Sequence, residues 1–534
     1  MTRPEGGQLR SNAIDLNLTA NIIAHRAEHS PDRTLVQHVG RESMTYGEFN
    51  DAVLRWATLF ESLGLRRGDT VASMAKAPAA FAPWLGAGWL RAIYVPLNPE
   101  LRGQLLVAAM QLIRAKVIVI EADNVDHLAR VAGCLTDLVH VVILPGAEQS
   151  SELTFNVHRA SELLAAAAPR PWAPVTGDDI ECGIFTSGTS GASKCVVRNW
   201  AIDERSGKWL FPSDIGHRTP TGAYYSPWPP FHGLGLTAMA VSVQRDMRLV
   251  VRQKFSVERF WSDIRDYGCT HSLLLVVAPL IAQRIPVPED SDNPLLYLTI
   301  VPLVREYREL ERRFGVRINT MYGQSETGPV LSTDDPVDYT TAGRPIPDLE
   351  VMLVDSDGAP CAVGAPGELI VKPNRPQLMS DVYLGMPEAM NEKWRSGWFH
   401  TGDVFRADAA GNYSFVDRLK DSIRHRGHNL SSFELEREIL THPAVAECAC
   451  VGVPSDLAEH EIFGDEDIKA VVVRRSHMSL SGEELTAFLA DRVPSYMLPR
   501  YIEFSSALPK TATNKVRKDQ LRALTRSGSV WRRS

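Results

Sequence analysis

Between Thr45 and Ile120 two kinds of apolar run take turns, and that alternation limits the folds open to the chain. Thr45-Tyr-Gly-Glu48 has the spacing of a capping box, in which a hydroxyl and a carboxylate satisfy the free N–H groups of a helix start. Phe49, Val53, Trp56, Phe60 and Leu63 succeed it at helical spacing, and Gly64 ends the run. Residues 69–72 open a strand, 80–92 form a second apolar helix and 93–95 a strand. A helix at 108–115 and a strand at 117–120 come next. Strands separated by helices predict parallel βαβ units and an α/β fold.

At 534 residues the chain is too long for one core, so at least two domains are expected. From about residue 340 the texture changes. Apolar runs at 351–354, 367–371 and 413–416 are short and broken by Gly, Pro and Asp, which predicts a β-rich subdomain over about 340–416. A polar hinge at 417–420 closes the N-terminal domain, residues 1–416. Beyond it, helical patterns at 433–441 and 482–492 and strands at 445–453 and 468–473 predict a small α+β domain over 421–534. Cys448 and Cys450 alternate in an apolar run and should face one side of their strand. The Ala/Pro-rich stretch 165–174 reads as a connector, and the closing RSGSVWRRS as a frayed basic end.

Charge and cysteine usage narrow the function classes. Lys and Arg number 57 against 64 Asp and Glu, net −7, the opposite of the basic footprint of a nucleic-acid binder. No run of about 18 apolar residues occurs, so no membrane span is expected. The opening MTRPEGGQLRSNAIDL lacks the apolar stretch of a secretory signal. Seven cysteines without a C-x-x-C pair make neither a disulfide framework nor a zinc site. They are expected to be free thiols in a reducing, cytoplasmic compartment.

The segment Ile184-Phe-Thr-Ser-Gly-Thr-Ser-Gly-Ala-Ser-Lys194 carries most of the functional information. It comes after an apolar strand and concentrates hydroxyl residues, two glycines and a lysine in positions 186–194. Glycines let backbone N–H groups turn toward an anion, hydroxyls add donors, and Lys194 adds charge. This is the chemistry of a phosphate cradle, although the spacing is not G-x-x-x-x-G-K-[ST]. A Ser/Gly-rich surface loop is the competing reading.

TSGTSGASK resembles the phosphate loop of the superfamily of acyl- and aryl-CoA synthetases, adenylation domains and luciferases, and companion motifs appear in order over nearly the whole chain. The resemblance makes Thr186, Ser187, Gly188, Thr189, Ser190, Gly191 and Lys194 nucleotide-phosphate residues, with Thr186 also catalytic. Ser226-Pro-Trp-Pro-Pro-Phe-His-Gly233 resembles the segment that lines the acyl pocket, here with His232 as a wall and no proton-transfer role. Tyr322-Gly-Gln-Ser-Glu326 resembles Y-G-x-T-E, with Tyr322 against adenine, Gly323, Gln324 and Ser325 along the nucleotide and acyl group, and Glu326 on Mg²⁺. Thr401-Gly-Asp403 resembles the motif whose aspartate accepts the ribose hydroxyls. In Asp417-Arg-Leu-Lys-Asp-Ser-Ile423, Arg418 would contact the nucleotide and Lys420 would be the pivot. Gly427 would lie on the loop facing coenzyme A. Pro509-Lys-Thr-Ala-Thr-Asn-Lys515 resembles P-K-T-x-x-G-K, whose last lysine reaches the substrate carboxylate and the α-phosphate.

The fold so implied is a large N-terminal domain of layered α/β sheets with a β subdomain, then a mobile α+β C-terminal domain. The implied activity joins AMP from ATP-Mg²⁺ to a carboxylic acid and passes the acyl group to coenzyme A. The alternatives are an adenylating enzyme that feeds a separate carrier protein, an amine or another small nucleophile, and a non-catalytic nucleotide-binding relative. Two departures from the pattern stand out. Asn514 replaces the usual Gly, and Thr299-Ile-Val-Pro-Leu-Val304 replaces a Ser-Gly-Gly-Ala-Pro stretch that packs on adenine. Some ligases resembling crotonobetaine/carnitine–CoA ligase also lack those glycines, and this chain resembles that branch, also in Val95-Pro-Leu-Asn98. Trp228, Phe231 and His232 suggest an aromatic wall and a medium-sized or aromatic acid.

Overall fold

The computed structural model describes residues 14–146, 153–186, 194–211, 220–275, 278, 281, 285–419, 421, 423–425, 428–454, 466–490, 492–511, 515–523 and 530–533. The expected βαβ units are present. Strands Ile93–Pro96, Thr70–Met74, Val117–Ile120, His140–Ile143 and Asn156–Arg159 lie side by side in that order, all parallel. Helix Tyr46–Ser62 starts on the capping box: the Thr45 hydroxyl accepts from the Glu48 N–H at 3.2 Å, and the Glu48 carboxylate accepts from the Thr45 N–H at 2.9 Å. Helix Phe81–Trp89 approaches it so closely that a Cβ on Gly86 would stand 2.7 Å from the Trp56 Cβ.

A larger sheet of fourteen strands among the described residues runs from Thr34 to Arg418. Strands Ala223–Ser226, Arg248–Val251, His271–Leu275, Tyr297–Val301 and Arg317–Gln324 pair in parallel. On the far flank of Arg317–Gln324, strand Gly328–Thr333 is antiparallel, as are the pairings beyond it. Arg317–Gln324 is thus the strand at which pairing changes sense. In open α/β sheets ligands collect off the carboxyl ends of strands where topology switches. Tyr322, Gly323 and Gln324 occupy that carboxyl end.

Strands Ile180–Thr186 and Lys194–Asn199 form a two-stranded antiparallel hairpin in which Thr186 pairs with Lys194, so the two ends of the phosphate segment are held side by side. Beyond residue 418, strands Val445–Pro454, Glu466–Arg474, Tyr501–Ser505 and Val530–Arg532 make a four-stranded sheet. Helices Ser432–Ile439 and Gly482–Ala490 supply Leu435, Ile439, Leu485 and Leu489 to one of its two apolar layers. Cys448 and Cys450 belong to that layer and Ala449 and Val451 to the opposite one, the alternation expected of a strand buried on both faces.

Several expectations need correction. The helix placed at 108–115 is Gly103–Ile113: it starts earlier, at a Gly-Gln pair that carries no helix-start signal, and ends at Arg114 in the left-handed conformation. Part of the connector is helical, as Ala160–Ala166. The residues after that helix are tied down by Arg55, which donates to the Ala167 carbonyl at 2.7 Å, and by Thr58, which donates to that of Ala168 at 2.8 Å. Strand Gly328–Thr333, ahead of residue 340, already pairs antiparallel on the far flank of Arg317–Gln324, and its Gly-Pro start disguises it. The chain end is not frayed throughout: Val530–Arg532 is a strand, and Trp531 packs on Gly482, donating to Glu483 at 3.1 Å.

Arg205, 1% exposed, fixes the segment that matters most for the site. Its guanidinium donates to the carbonyls of Thr327, Pro329 and Leu378, joining helix Trp200–Trp209 to the hairpin that begins after Tyr322. Arg205→Met leaves three buried carbonyls without a donor. It should lower unfolding free energy by about 3 kcal/mol or more in urea denaturation, with little change in m-value.

Candidate active site

Asp403, 3% exposed, lies at the centre of the cleft. Its Oδ2 accepts from the Tyr322 hydroxyl at 2.6 Å and the Gln324 amide at 2.9 Å, and the Arg418 Nε stands 3.3 Å from Oδ1. An ionised carboxylate offers about four acceptor sites, so about one remains for a ribose hydroxyl while Arg418 is in place. Burial and the Asp403 carboxylate push the Tyr322 phenol up, keeping it a neutral donor. Gly323 is required where it stands: a Cβ there would lie 2.2 Å from the Gly328 carbonyl oxygen, across a bulge in the hairpin. The turn is closed by the Thr327 hydroxyl, which accepts from the Gln324 N–H at 3.0 Å. Ser325 sits half-buried in this turn.

Glu326, 8% exposed, is next on the same turn. Its Oε1 accepts from the hydroxyl of Tyr383 at 2.6 Å, and its other carboxylate oxygen takes no hydrogen bond among the described residues. Tyr383 went unnoticed in the sequence. It is 2% exposed, burial and the Glu326 carboxylate raise its phenol pKa, and the Lys194 ammonium stands 4.9 Å above its ring. One side chain therefore touches both Lys194 and Glu326. Thr186 donates to the Lys194 carbonyl at 3.4 Å. Ser187, Gly188, Thr189, Ser190 and Gly191 lie outside the described residues, as do Lys420, Gly427 and Asn514.

Lys515 comes from the C-terminal part of the chain, on a turn closed by the Thr511 N–H to the Lys515 carbonyl at 2.8 Å. Lys515 is exposed, yet enough protein surrounds its ammonium to lower its pKa. Arg418 lowers it further, and Asp403 and Glu326 oppose the shift. His232 feels the charge of Lys515 in turn. His232 caps helix Gly233–Gln244, its Nδ1 accepting from the Leu234 N–H at 3.2 Å, and its ring lies 5.7 Å from that of Trp228. Burial, then Lys515, holds its pKa down to about 4, so the ring is a neutral wall. Trp228 is anchored to the Leu273 carbonyl at 2.9 Å. The segment 299–304 contributes Thr299, whose hydroxyl donates to Asn319 at 3.0 Å beneath the seam strand. At the hinge, Asp417 accepts from the Ser432 hydroxyl at 2.9 Å and from its N–H, gripping the start of helix Ser432–Ile439.

Tyr383→Phe frees Glu326 to rotate and removes a charge-assisted bond worth about 1.5 kcal/mol, so Mg²⁺-dependent ATP binding should weaken about tenfold, with Mg²⁺-free AMP binding unchanged. Equal weakening of both would assign Tyr383 to packing alone. The pH dependence of stability tests the wall residue. An unfolded chain takes up a proton on residue 232 below pH 6.5, while the folded one resists until about pH 4. His232 therefore costs nothing above pH 6.5, and stability falls as pH drops from 6.5 toward 4. His232→Asn keeps an acceptor for Leu234 and should shrink that fall in melting temperature.

The AMP-binding enzyme family model matches residues 23–383, and that of the AMP-binding enzyme C-terminal domain matches residues 434–515. A crotonobetaine/carnitine–CoA ligase of Citrobacter koseri is 29% identical over 500 residues, covering 90% of this chain and 93% of the relative. Two solved structures share the fold at a TM-score of 0.82. One is the anthranilate CoA ligase AuaEII in complex with anthranoyl-AMP, 21% identical, covering 95% of this chain and 97% of its own. The other is ATP-bound MatB from Rhodopseudomonas palustris, 23% identical, covering 95% and 98%. No helix among the described residues is long and apolar enough to cross a membrane. With its larger family model spanning more than half of its length, the chain belongs to the AMP-binding enzyme family.

Proposed function

We propose that the protein is an AMP-forming acid–CoA ligase, which activates a carboxylic acid with ATP and transfers the acyl group to the thiol of coenzyme A. The observation that carries this reading is that Lys515, Arg418, Asp403, Glu326 and His232, from segments far apart in the chain, come within electrostatic reach of one another. Membership in the AMP-binding enzyme family and the ligase names of the relatives support it.

In the first half-reaction the substrate carboxylate oxygen attacks the α-phosphorus of ATP, and the bond to the bridging oxygen of the β-phosphate breaks. Lys515 carries a fixed positive charge to the oxygens on which negative charge builds. Asp403 orients the ribose, Tyr322 presents its ring to the base, and Lys194 and Thr186 meet the outer phosphates. The free oxygen of Glu326 is a hard donor that fits Mg²⁺, an ion that keeps several waters and is shared with phosphates. Among the described residues no group of three or more His, Cys, Asp or Glu could hold a metal alone. Mg²⁺ bound there would offset charge on the departing phosphates. His232 and Trp228 wall the acyl group with apolar surface and take no proton. In the second half-reaction, residues 421–534 turn about 417–420, withdraw Lys515 and bring the Gly427 loop to the acyl-adenylate. The coenzyme A thiol then attacks the acyl carbon, and AMP leaves.

The test is pyrophosphate release by the full chain with ATP-Mg²⁺ and a panel of aliphatic and aromatic acids, each with and without coenzyme A. An acyl-CoA product is expected. Pyrophosphate release without coenzyme A consumption would overturn the acceptor, and silence across the panel would overturn the activity. In the same assay Lys515→Ala should lose acyl-AMP formation by about 100-fold or more, in line with loss of a single transition-state charge. It should spare thioester formation from supplied acyl-AMP.

A further inference from the structure

A cleft of about 220 Å³ opens behind the Thr401-Gly-Asp403 turn, lined by Lys194, Glu368, Glu392, Lys393, Arg395 and His400 among others. Three fixed cations face two carboxylates, and the carboxylates are unequal. Glu368 is already committed: its Oε2 meets the His400 Nδ1 at 2.7 Å and the Arg395 guanidinium at 3.8 Å, and its Oε1 accepts from the Gly402 N–H at 2.9 Å. Glu392 is exposed at the rim. Lys194 and Lys393 form no ion pair among the described residues. Lys393 spends two of its three N–H groups on neutral acceptors, the carbonyls of His400 and Thr401, each at 3.2 Å. Burial lowers its pKa; the charges of Glu326, Asp403 and Glu368 oppose that shift, and Lys194 adds to it. Two ammonium groups that share a partly buried cleft, neither held in a direct ion pair among the described residues, are suited to an anion that arrives and leaves.

The position of the cleft selects the anion. Lys194 stands over Tyr383, whose hydroxyl holds Glu326, so its ammonium is shared between the cleft and the metal carboxylate. Lys393 lies beside Gly402, where a Cβ would come within 3.4 Å of its Nζ, and the next residue is the central Asp403. The cleft therefore adjoins the phosphate end of the proposed nucleotide position.

We propose that this cleft receives inorganic pyrophosphate as it departs from the α-phosphorus, with Lys194 passing the anion from the phosphate hairpin to Lys393 and Arg395. The proposal rests on the adenylation half of the proposed activity. The diphosphate group could equally be the β,γ end of uncleaved ATP, and the test separates the two. Magnesium pyrophosphate, ATP and AMP are titrated separately, without acid or coenzyme A, into the full chain and into Lys393→Met and Arg395→Gln. Pyrophosphate affinity should fall about tenfold in Lys393→Met, which loses a charged donor, and about threefold in the exposed Arg395→Gln, with AMP affinity unchanged in both. Unchanged pyrophosphate affinity in Arg395→Gln and in folded Lys393→Met overturns the proposal. So does an equal loss of ATP affinity, which would place the two residues on the bound triphosphate. Because acid and coenzyme A are absent, the identity of the acyl acceptor does not enter. Failure of the unmodified protein to bind AMP would instead defeat the adenylation reading itself.

Discussion

A carboxylate taken out of water needs donors in place of the water it loses, and Asp403 finds them on separate strands. Tyr322 and Gln324 reach it from the seam strand Arg317–Gln324, and Arg418 from the end of Tyr413–Arg418. These contacts join the strand at which the large sheet changes sense to the strand that leads into the hinge. Asp403 thereby ties the large sheet to the end of strand Tyr413–Arg418. A displacement of Arg418 changes the compensation of Asp403, and with it the acceptor site left for a ribose.

The words that hold the residues proposed to meet the phosphates and ribose were legible in the sequence where they sit on backbone that few residues tolerate. Gly323 passes against the Gly328 carbonyl, and Gly402 has a φ of +75°. Such constraints leave short, recognisable words. The residues that hold those words in place leave none. Tyr383 lies 57 residues from the carboxylate it binds, and Arg205 lies 122 residues from Thr327. Their roles arise from long-range contact in otherwise ordinary helix and loop sequence. Lys393, between Glu392 and Trp394, reads as a solvated charge until the fold sets it behind Gly402.

The same distinction separates the fold elements. Helix Tyr46–Ser62 announces itself through a capping box and a clean apolar stripe, both local. The strand Val530–Arg532 does not, because its single aromatic residue is surrounded by basic and small ones. What makes it a strand is the bare edge of Tyr501–Ser505 and the space that Gly482 leaves for Trp531. Local pattern is a good guide where an element's own sequence supplies the stabilisation, and a poor one where a neighbour does.

Lys515 adds an electrostatic argument for why the reaction should be divided between two positions of the C-terminal part. Its ammonium lies among Arg418, a like charge, and Asp403 and Glu326, opposite ones, in surroundings that already disfavour a cation. Both carboxylates are partly engaged by their own donors, Asp403 by Arg418 and Glu326 by Tyr383. The balance is thus set by what fills the cleft. With a triphosphate in place, Lys515 and Arg418 share an anion, and their mutual repulsion is offset. Once pyrophosphate has gone, most of that negative charge is gone too, and the adenylate retains only a single phosphodiester charge. Repulsion between two like charges, where they come within about 4 Å, is worth on the order of 1–4 kcal/mol at effective dielectric constants between those of water and a protein surface. That is enough to shift a two-state equilibrium by one to three orders of magnitude. On the proposed function, departure of the first product would itself favour withdrawal of Lys515 and admission of the thiol, with no separate signal required.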